Sequence, residues 1–472
     1  MVSVQPTTAR VALTQRGECV AGVIEQQRSR FHLDGILADL RDAYLGDTRP
    51  WIVAFSGGKD STMVAQLVYY MLANLPPRDR HKQVYVLASD TRVETPVISG
   101  RIRGELDSLA AAAERDELPI STLIVYPKLN DTFWVNLIGR GYPSPTPLFR
   151  WCTDRLKIRP VSEFIRNVVS RSGSVVVALG ARKQESATRA QAMRAREIEN
   201  QRFRPHSDLP NAWVYTPIQD LSTNEVWVYL LQVPSPWGGD NRGLVTLYRR
   251  AAGGECPLVI DKSTPSCGHS RFGCWTCTVV ARDRSMEALV ELGEERLEPL
   301  LELRDYLKAV RDMPGARQDT RRNGHPAYNR DGEPMTGTGP FTHATRRDLL
   351  LRLLNAQRAS GFTLIEGDEL AAIQEIWTLE ENNPQPVDTV RRIWREVLQE
   401  DAMPEEQRGS SNYLSKEDDL LRQACEEHGV SFELMRRLRD LEEEFGHLKR
   451  RQGLPDEMRE AVRQAVAEEQ EV

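Results

Sequence analysis

The apolar run Trp51-Ile52-Val53-Ala54-Phe55 leads directly into Ser56-Gly57-Gly58-Lys59-Asp60-Ser61-Thr62, and no other stretch restricts the fold as much. Met63, Val64, Leu67 and Val68 follow at helical spacing, so the segment reads as strand, tight turn, helix. Such a turn stands at the C-terminal end of a parallel strand, where ligands bind in open α/β sheets. Gly57 and Gly58 let the backbone come close and aim N–H groups at an anion. The helix N-terminus adds unpaired N–H groups and the positive end of its dipole. Lys59 contributes a full positive charge, and Ser61 and Thr62 contribute hydroxyls. The spacing is not that of a Walker A loop, which has four residues between Gly and Gly-Lys. The plain alternative is a tight turn capped by Asp60 or Ser61.

Strand and helix patterns alternate from about residue 22 to 232. Val84 to Ala88 is a second apolar run, ending at Ser89-Asp90, Leu123 to Val125 a third, and Ser174 to Leu179 a fourth. Val175-Val176-Val177 is apolar on consecutive residues, as in a parallel strand covered on both faces. The fold class expected is α/β, a doubly wound parallel sheet with right-handed crossovers. The expected divisions are a helical segment at 1–45, the sheet domain at 46–235, a cysteine-rich module at 236–285 and a mainly helical region at 286–472. Within the last, Met286 to Leu292 and Glu295 to Val310 read as helices, and the Gly- and Pro-rich stretch 313–342 as a flexible loop. The end of the chain carries Glu442-Glu443-Glu444 and Lys449-Arg450-Arg451 and reads as a solvated or partner-binding helical tail.

A chain of 472 residues is too long for one compact core. Hydrophobic residues at 40% and charged residues at 28% fit a soluble protein. No stretch approaches the roughly 18 apolar residues of a membrane span, and Met1 to Glu18 lacks a signal-peptide pattern. A cytoplasmic protein without a membrane partner is expected. The net charge of −6 gives nucleic-acid binding no bulk support, so any such surface must be local. Residues 182–204 carry seven basic and three acidic side chains, enough to seat a polyanion.

Four of the seven cysteines lie within 22 positions: Cys256, Cys267, Cys274 and Cys277, spaced C-x10-C-x6-C-x2-C. Four thiolates can hold tetrahedral zinc or a [4Fe–4S] cluster, and the spacing does not choose. His269 is a possible extra ligand. Cys152 lies among Arg150, Arg155 and Lys157, charges that favour its thiolate. Cys19 and Cys425 read as incidental.

Ser56 to Ser61 resembles the PP-loop of ATP pyrophosphatases. Four further segments resemble the phosphoadenylylsulfate-reductase branch of that family: Ser89-Asp90-Thr91 with Glu94-Thr95, whose acid at a strand end could bind Mg²⁺ or a ribose hydroxyl; Arg150 to Lys157; Pro217 to Asp220 with Glu225-Val226-Trp227, which resembles the closing strand and helix; and Gly180 to Arg189, which has the form Gly-x-Arg-x-x-Glu-Ser-x-x-Arg. The resemblance implies cleavage of ATP, with Mg²⁺, between its α- and β-phosphates. Lys59, Asp60, Ser61 and Cys152 would do chemistry. Ser56, Gly57, Gly58, Thr62, Asp90, Thr91, Arg182, Glu185, Ser186 and Arg189 would contact the nucleotide. With the four-cysteine spacing and the helical extension, the chain resembles the DndC family of DNA phosphorothioation sulfurtransferases. That resemblance implies a [4Fe–4S] cluster on Cys256, Cys267, Cys274 and Cys277. It also implies DNA as substrate, a cysteine desulfurase as sulfur donor, and other phosphorothioation proteins as partners.

Cluster-binding reductases carry a tandem Cys-Cys at the Cys152 segment, whereas here Thr153 follows, which argues against a cluster straddling that segment. Adenylylsulfate or phosphoadenylylsulfate reduction is one alternative. The missing tandem and an end reading Glu-Glu-Gln-Glu-Val, without a Glu-Cys-Gly-Leu-His element, disfavour it. tRNA thiolation and a non-catalytic nucleotide-gated scaffold are the others; the Gly180 to Arg189 element disfavours the first, and intact Lys59, Asp60 and Ser61 the second.

Overall fold

The computed structural model describes residues 33–185, 191, 201–250, 273–291, 293–321, 326–329, 332–380 and 385–400, with scattered positions between 421 and 463. Its centre is a six-stranded sheet: β1 (Trp51–Ala54), β2 (Val84–Ser89), β3 (Ile120–Val125), β4 (Val175–Ala178), β5 (Arg204–Pro205) and β6 (Ala212–Tyr215), in the order β3-β2-β1-β4-β6-β5. Five strands are parallel and β5 joins β6 antiparallel. The chain winds outward from β1 to β2 and β3, then returns to place β4 on the other side of β1. That reversal opens the crevice in which open α/β sheets bind ligands.

Every residue of β1 and β4 is buried, which is why both read as unbroken apolar runs. On one face lie α1 (Leu33–Leu45), α2 (Lys59–Ala73), α3 (Pro96–Arg115), α5 (Thr223–Gln232) and α6 (Asn241–Arg250), packed on Trp51, Val53, Val84, Val86 and Val176. On the other lies α4 (Arg159–Ser172), whose Val161, Ile165 and Val168 cover Ile52, Ala54, Leu87 and Val177. Helices on both faces make the sheet doubly wound, as the sequence implies.

Two local expectations change. Pro217 to Asp220 is a turn, not the closing strand, which is Ala212–Tyr215 just before it. Asn211 at φ 61 enters that strand, and Ser222 with Glu225 forms the capping box that starts α5. The polar stretch 313–342 is not open coil throughout. β7 (Ala327–Tyr328) pairs with β8 (Pro334–Met335), and Gln318 N–H donates to Pro340 O at 2.8 Å. Two-residue strands are too short to leave a period in the sequence.

A second core lies beyond the sheet. It joins α7 (Arg284–Glu291), α8 (Glu298–Val310), α9 (His343–Ser360), α10 (Gly367–Thr378) and α11 (Thr389–Leu398) to Phe133, Trp134, Leu137, Ile138, Trp151 and Trp275. Polar bonds fix this seam: Trp134 Nε1 donates to Leu364 O at 2.7 Å, Trp377 Nε1 to Ile138 O at 3.0 Å and Arg346 Nη1 to Gly139 O at 2.7 Å. The helices after residue 284 therefore pack directly on the loops leaving β3. Among the described residues no helix is long and apolar enough to cross a membrane.

Candidate functional site

Leaving β1, the chain turns at Gly57 with φ +69 and enters α2 from Gly58. The Ser61 hydroxyl closes the loop: it donates to Gly58 O at 3.0 Å, accepts from Ser56 N at 3.2 Å and lies 3.1 Å from Ser56 Oγ. Gly180, after β4, backs onto this turn so closely that a Cβ there would lie 2.7 Å from the Asp60 carbonyl carbon and 2.8 Å from Ser61 N. The third residue of the Gly-x-Arg element then reaches in, with Arg182 Nε donating to Asp60 Oδ1 at 2.5 Å. Lys59 Nζ donates to Asp60 Oδ2 at 2.8 Å. Asp60 is thus the buried hinge between the cation of the loop and the cation of the β4 element.

Sequence reasoning missed the roof of this site. Tyr248 of α6 accepts from Lys59 N–H at 3.4 Å. The rings of Tyr248 and Trp227 lie 5.5 and 6.0 Å from the Lys59 ammonium and 4.9 Å from each other. Trp227 belonged to a recognised motif, but nothing in the sequence marked Tyr248.

At the end of β2, Asp90 is fully engaged. Its Oδ1 accepts from Arg92 N at 2.8 Å, and its Oδ2 from Ser99 Oγ and Arg103 Nη2, both at 3.0 Å. That donor set anchors the turn.

Thr91 and Glu94 face the cysteines. Thr91 Oγ1 lies 3.4 Å from Cys274 Sγ and donates to Glu94 Oε1 at 3.1 Å, and Cys274 Sγ lies 3.7 Å from the same carboxylate oxygen. Trp275 N–H donates to Val93 O at 3.0 Å, and Glu94 and Cys274 form an antiparallel bridge. Cys277 N–H donates to Cys274 O at 3.1 Å, closing the C-x2-C turn.

Cys152 overturns one expectation. Its thiol is pushed up to about 12, not lowered: burial is the main cause and the Cys277 thiol adds to it, while Lys157, a backbone hydrogen bond and the Thr153 hydroxyl act against them. The neighbouring cations have other partners. Arg155 Nη1 donates to Asp131 at 3.1 Å and Asn136 at 3.0 Å, Arg150 Nε to Pro147 O at 3.3 Å, and Lys157 Nζ lies 3.4 Å from Glu94 Oε1. The influence of the Cys277 thiol puts Cys152 within electrostatic reach of the C-x2-C turn.

Ser186, Arg189, Cys256 and Cys267, and the side chain of Glu185, lie outside the described residues, as does most of the basic stretch 182–204. Among the described residues no three Cys, His, Asp or Glu side chains form a complete metal site. The donors present, Cys274 and Cys277 on one tight turn, fit part of a soft thiolate-bound centre.

The phosphoadenosine phosphosulfate reductase domain family matches residues 50–280. An uncharacterised protein of Methanocaldococcus jannaschii is 25% identical over 238 residues, which is 50% of this chain and 38% of that protein, so the chain spans well under two thirds of its relative. The U34-tRNA thiolase NcsA from Methanococcus maripaludis, solved with its [4Fe-4S] cluster, overlaps with a TM-score of 0.28 and 10% identity, covering 59% of this chain and 77% of that one. So slight an overlap carries no argument. The β1 glycine turn and the β4 strand with its Gly-x-Arg residues thus lie within the stretch, residues 50–280, that is similar to the phosphoadenosine phosphosulfate reductase domain family, and the mostly parallel sheet with helices on both faces is consistent with the α/β fold of such a domain.

Proposed function

We propose that the chain is an ATP-dependent sulfurtransferase of DNA phosphorothioate modification. The observation that carries this reading is the placement of two chemistries on adjacent strands: an anion loop after β1 and a cysteine turn docked on the end of β2. In this reading the loop N–H groups, with Lys59 and Arg182, bind the triphosphate of ATP. A non-bridging DNA phosphate oxygen attacks the α-phosphorus, and pyrophosphate leaves into the loop. A sulfur nucleophile then displaces AMP, leaving sulfur where that oxygen stood. Asp60 keeps Lys59 and Arg182 at the loop through paired carboxylate contacts.

Cys274 and Cys277, with Cys256 and Cys267 completing the set, would hold an iron–sulfur cluster. When bound, that cluster supplies a sulfur-handling and electron-carrying centre. Cys274 and Cys277 are partly buried, and Lys157 sets a positive charge beside Glu94, whose carboxylate faces Cys274. DNA as acceptor, a cysteine desulfurase as donor and further phosphorothioation proteins as partners come from the DndC resemblance. Mg²⁺ enters as the counter-ion of ATP.

The test has two arms. Purified protein should release pyrophosphate from ATP, and Lys59→Ala should lower that rate about a hundredfold, the scale of losing a charged transition-state contact. DNA from cells expressing the wild type should contain phosphorothioate dinucleotides that Cys274→Ala removes. Equal levels in both strains would contradict a required thiol centre, and no pyrophosphate release with or without DNA would overturn the reading. The domain match favours one rival, reduction of an adenylylated sulfate. Loss of sulfate assimilation on deleting the gene would favour that rival.

A further inference from the structure

Arg92 stands between the two parts of the β2 edge, just after Asp90 and Thr91 and just before Val93 and Glu94. Its backbone is left-handed, with φ 62. For a residue with a Cβ that conformation costs on the order of 1 kcal/mol and persists where the surroundings impose it. Here they impose it from both sides. Arg92 N–H donates to Asp90 Oδ1 at 2.8 Å, while Arg92 Nη1 donates to both oxygens of Asp368, at 2.9 and 3.0 Å. Glu369 Oε2 lies 4.0 Å from the same guanidinium.

Asp368 and Glu369 occupy the first turn of α10, with side chains only 5% and 1% exposed. An ion pair this buried fixes geometry, because breaking one partner leaves the other charge uncompensated. Glu369 Oε2 also accepts from Glu366 N–H at 3.2 Å, which closes the cap of α10, and its carboxyl is raised to about 7 by burial. The clamp therefore joins α10, which lies beyond residues 50–280, to the turn carrying Asp90 and Thr91.

We propose that Arg92 is a positioning residue. Asp368 of α10 holds it, and through it holds the turn that sets Asp90 at the nucleotide edge and Thr91 against Cys274. The working site then includes the C-terminal helical layer. This rests on the reading that the β2 edge serves ATP and thiols together.

The test uses the full chain with Arg92→Met, Asp368→Asn, the pair combined, and Arg92→Lys. Each single change should slow pyrophosphate release about tenfold and speed alkylation of Cys274 in iron-free protein several-fold. The combined variant should be no worse than the worse single, since both cut one link. Arg92→Lys should recover part of both losses, because it keeps the charge without the fork. Asp348→Asn, which in the same layer loses bonds to Tyr306 and Arg352, should leave both readouts unchanged. Effects of Arg92→Met and Asp368→Asn that multiply, or singles that change neither readout, would overturn the proposal. Should the Met variant not fold, Arg92→Lys and Asp368→Asn carry the same comparison. Were wild-type protein to release no pyrophosphate, the functional reading would fall, and Cys274 alkylation would still decide the clamp.

Discussion

At the Cys152 thiol, basic neighbours and burial act in opposite directions, and burial dominates. Arg150 and Arg155 are engaged by oxygen acceptors, and the Lys157 ammonium lies 3.4 Å from Glu94, so little positive charge reaches the sulfur. Loss of water and the neighbouring Cys277 thiol raise it to about 12. The sequence showed the three cations, but not the acceptors that Asp131, Asn136 and Glu94 bring from other segments. In iron-free protein Cys152 should stay protonated from pH 7 to 9, and its alkylation should accelerate only as pH rises toward 12. Rapid alkylation at pH 7 would contradict this. A metal ligand must be the thiolate, so loading the centre should release protons and be favoured by higher pH. Proton uptake on anaerobic loading in weakly buffered solution would have the wrong sign.

Among the elements, the β1 turn and the β4 Gly-x-Arg segment were the most legible, because glycine is demanded there by close approach and by φ. Gly180 shows the demand directly. Gly180→Ala places a methyl 2.7 Å from backbone that cannot yield, so it should cost roughly 1–3 kcal/mol and weaken pyrophosphate binding at the loop. Gly100→Ala, in α3 with nothing within 4 Å of its Cβ, should instead stabilise by up to about 1 kcal/mol. Urea unfolding of both variants checks the pair, and equal shifts would refute the packing argument. The apolar runs of β1, β2 and β4 were legible because burial on both faces erases alternation. β6 was misplaced because a Pro-containing turn follows it directly, and the short antiparallel β5 carries too few residues to announce itself. The Tyr248 roof escaped notice because α6 meets α2 across 189 positions of chain.

For the whole molecule, the helices after residue 284 were legible as helices, but not the surface they cover. Their apolar faces meet Trp134, Leu137 and Ile138 from the loop after β3, a contact that no local pattern encodes. Trp134 is fully buried there and hydrogen-bonded to Leu364 O. Trp134→Ala should therefore cost about 3–5 kcal/mol. It should loosen the sheet domain and the helical layer together, giving one shifted unfolding transition by both near- and far-ultraviolet dichroism. Two separate transitions would show that the layers fold independently.

The cysteine turn is sewn to β2 by peptide groups, through Trp275 N–H on Val93 O and the Glu94–Cys274 bridge. Side-chain replacement leaves such seams intact. Neighbouring strands stand about 4.8 Å apart whatever their residues, so the gap between the phosphate cradle and the sulfur atoms is a dimension of the sheet. Descendants of this chain can exchange one acceptor for another, or one metal for another, while the two reactive ends remain the same span apart.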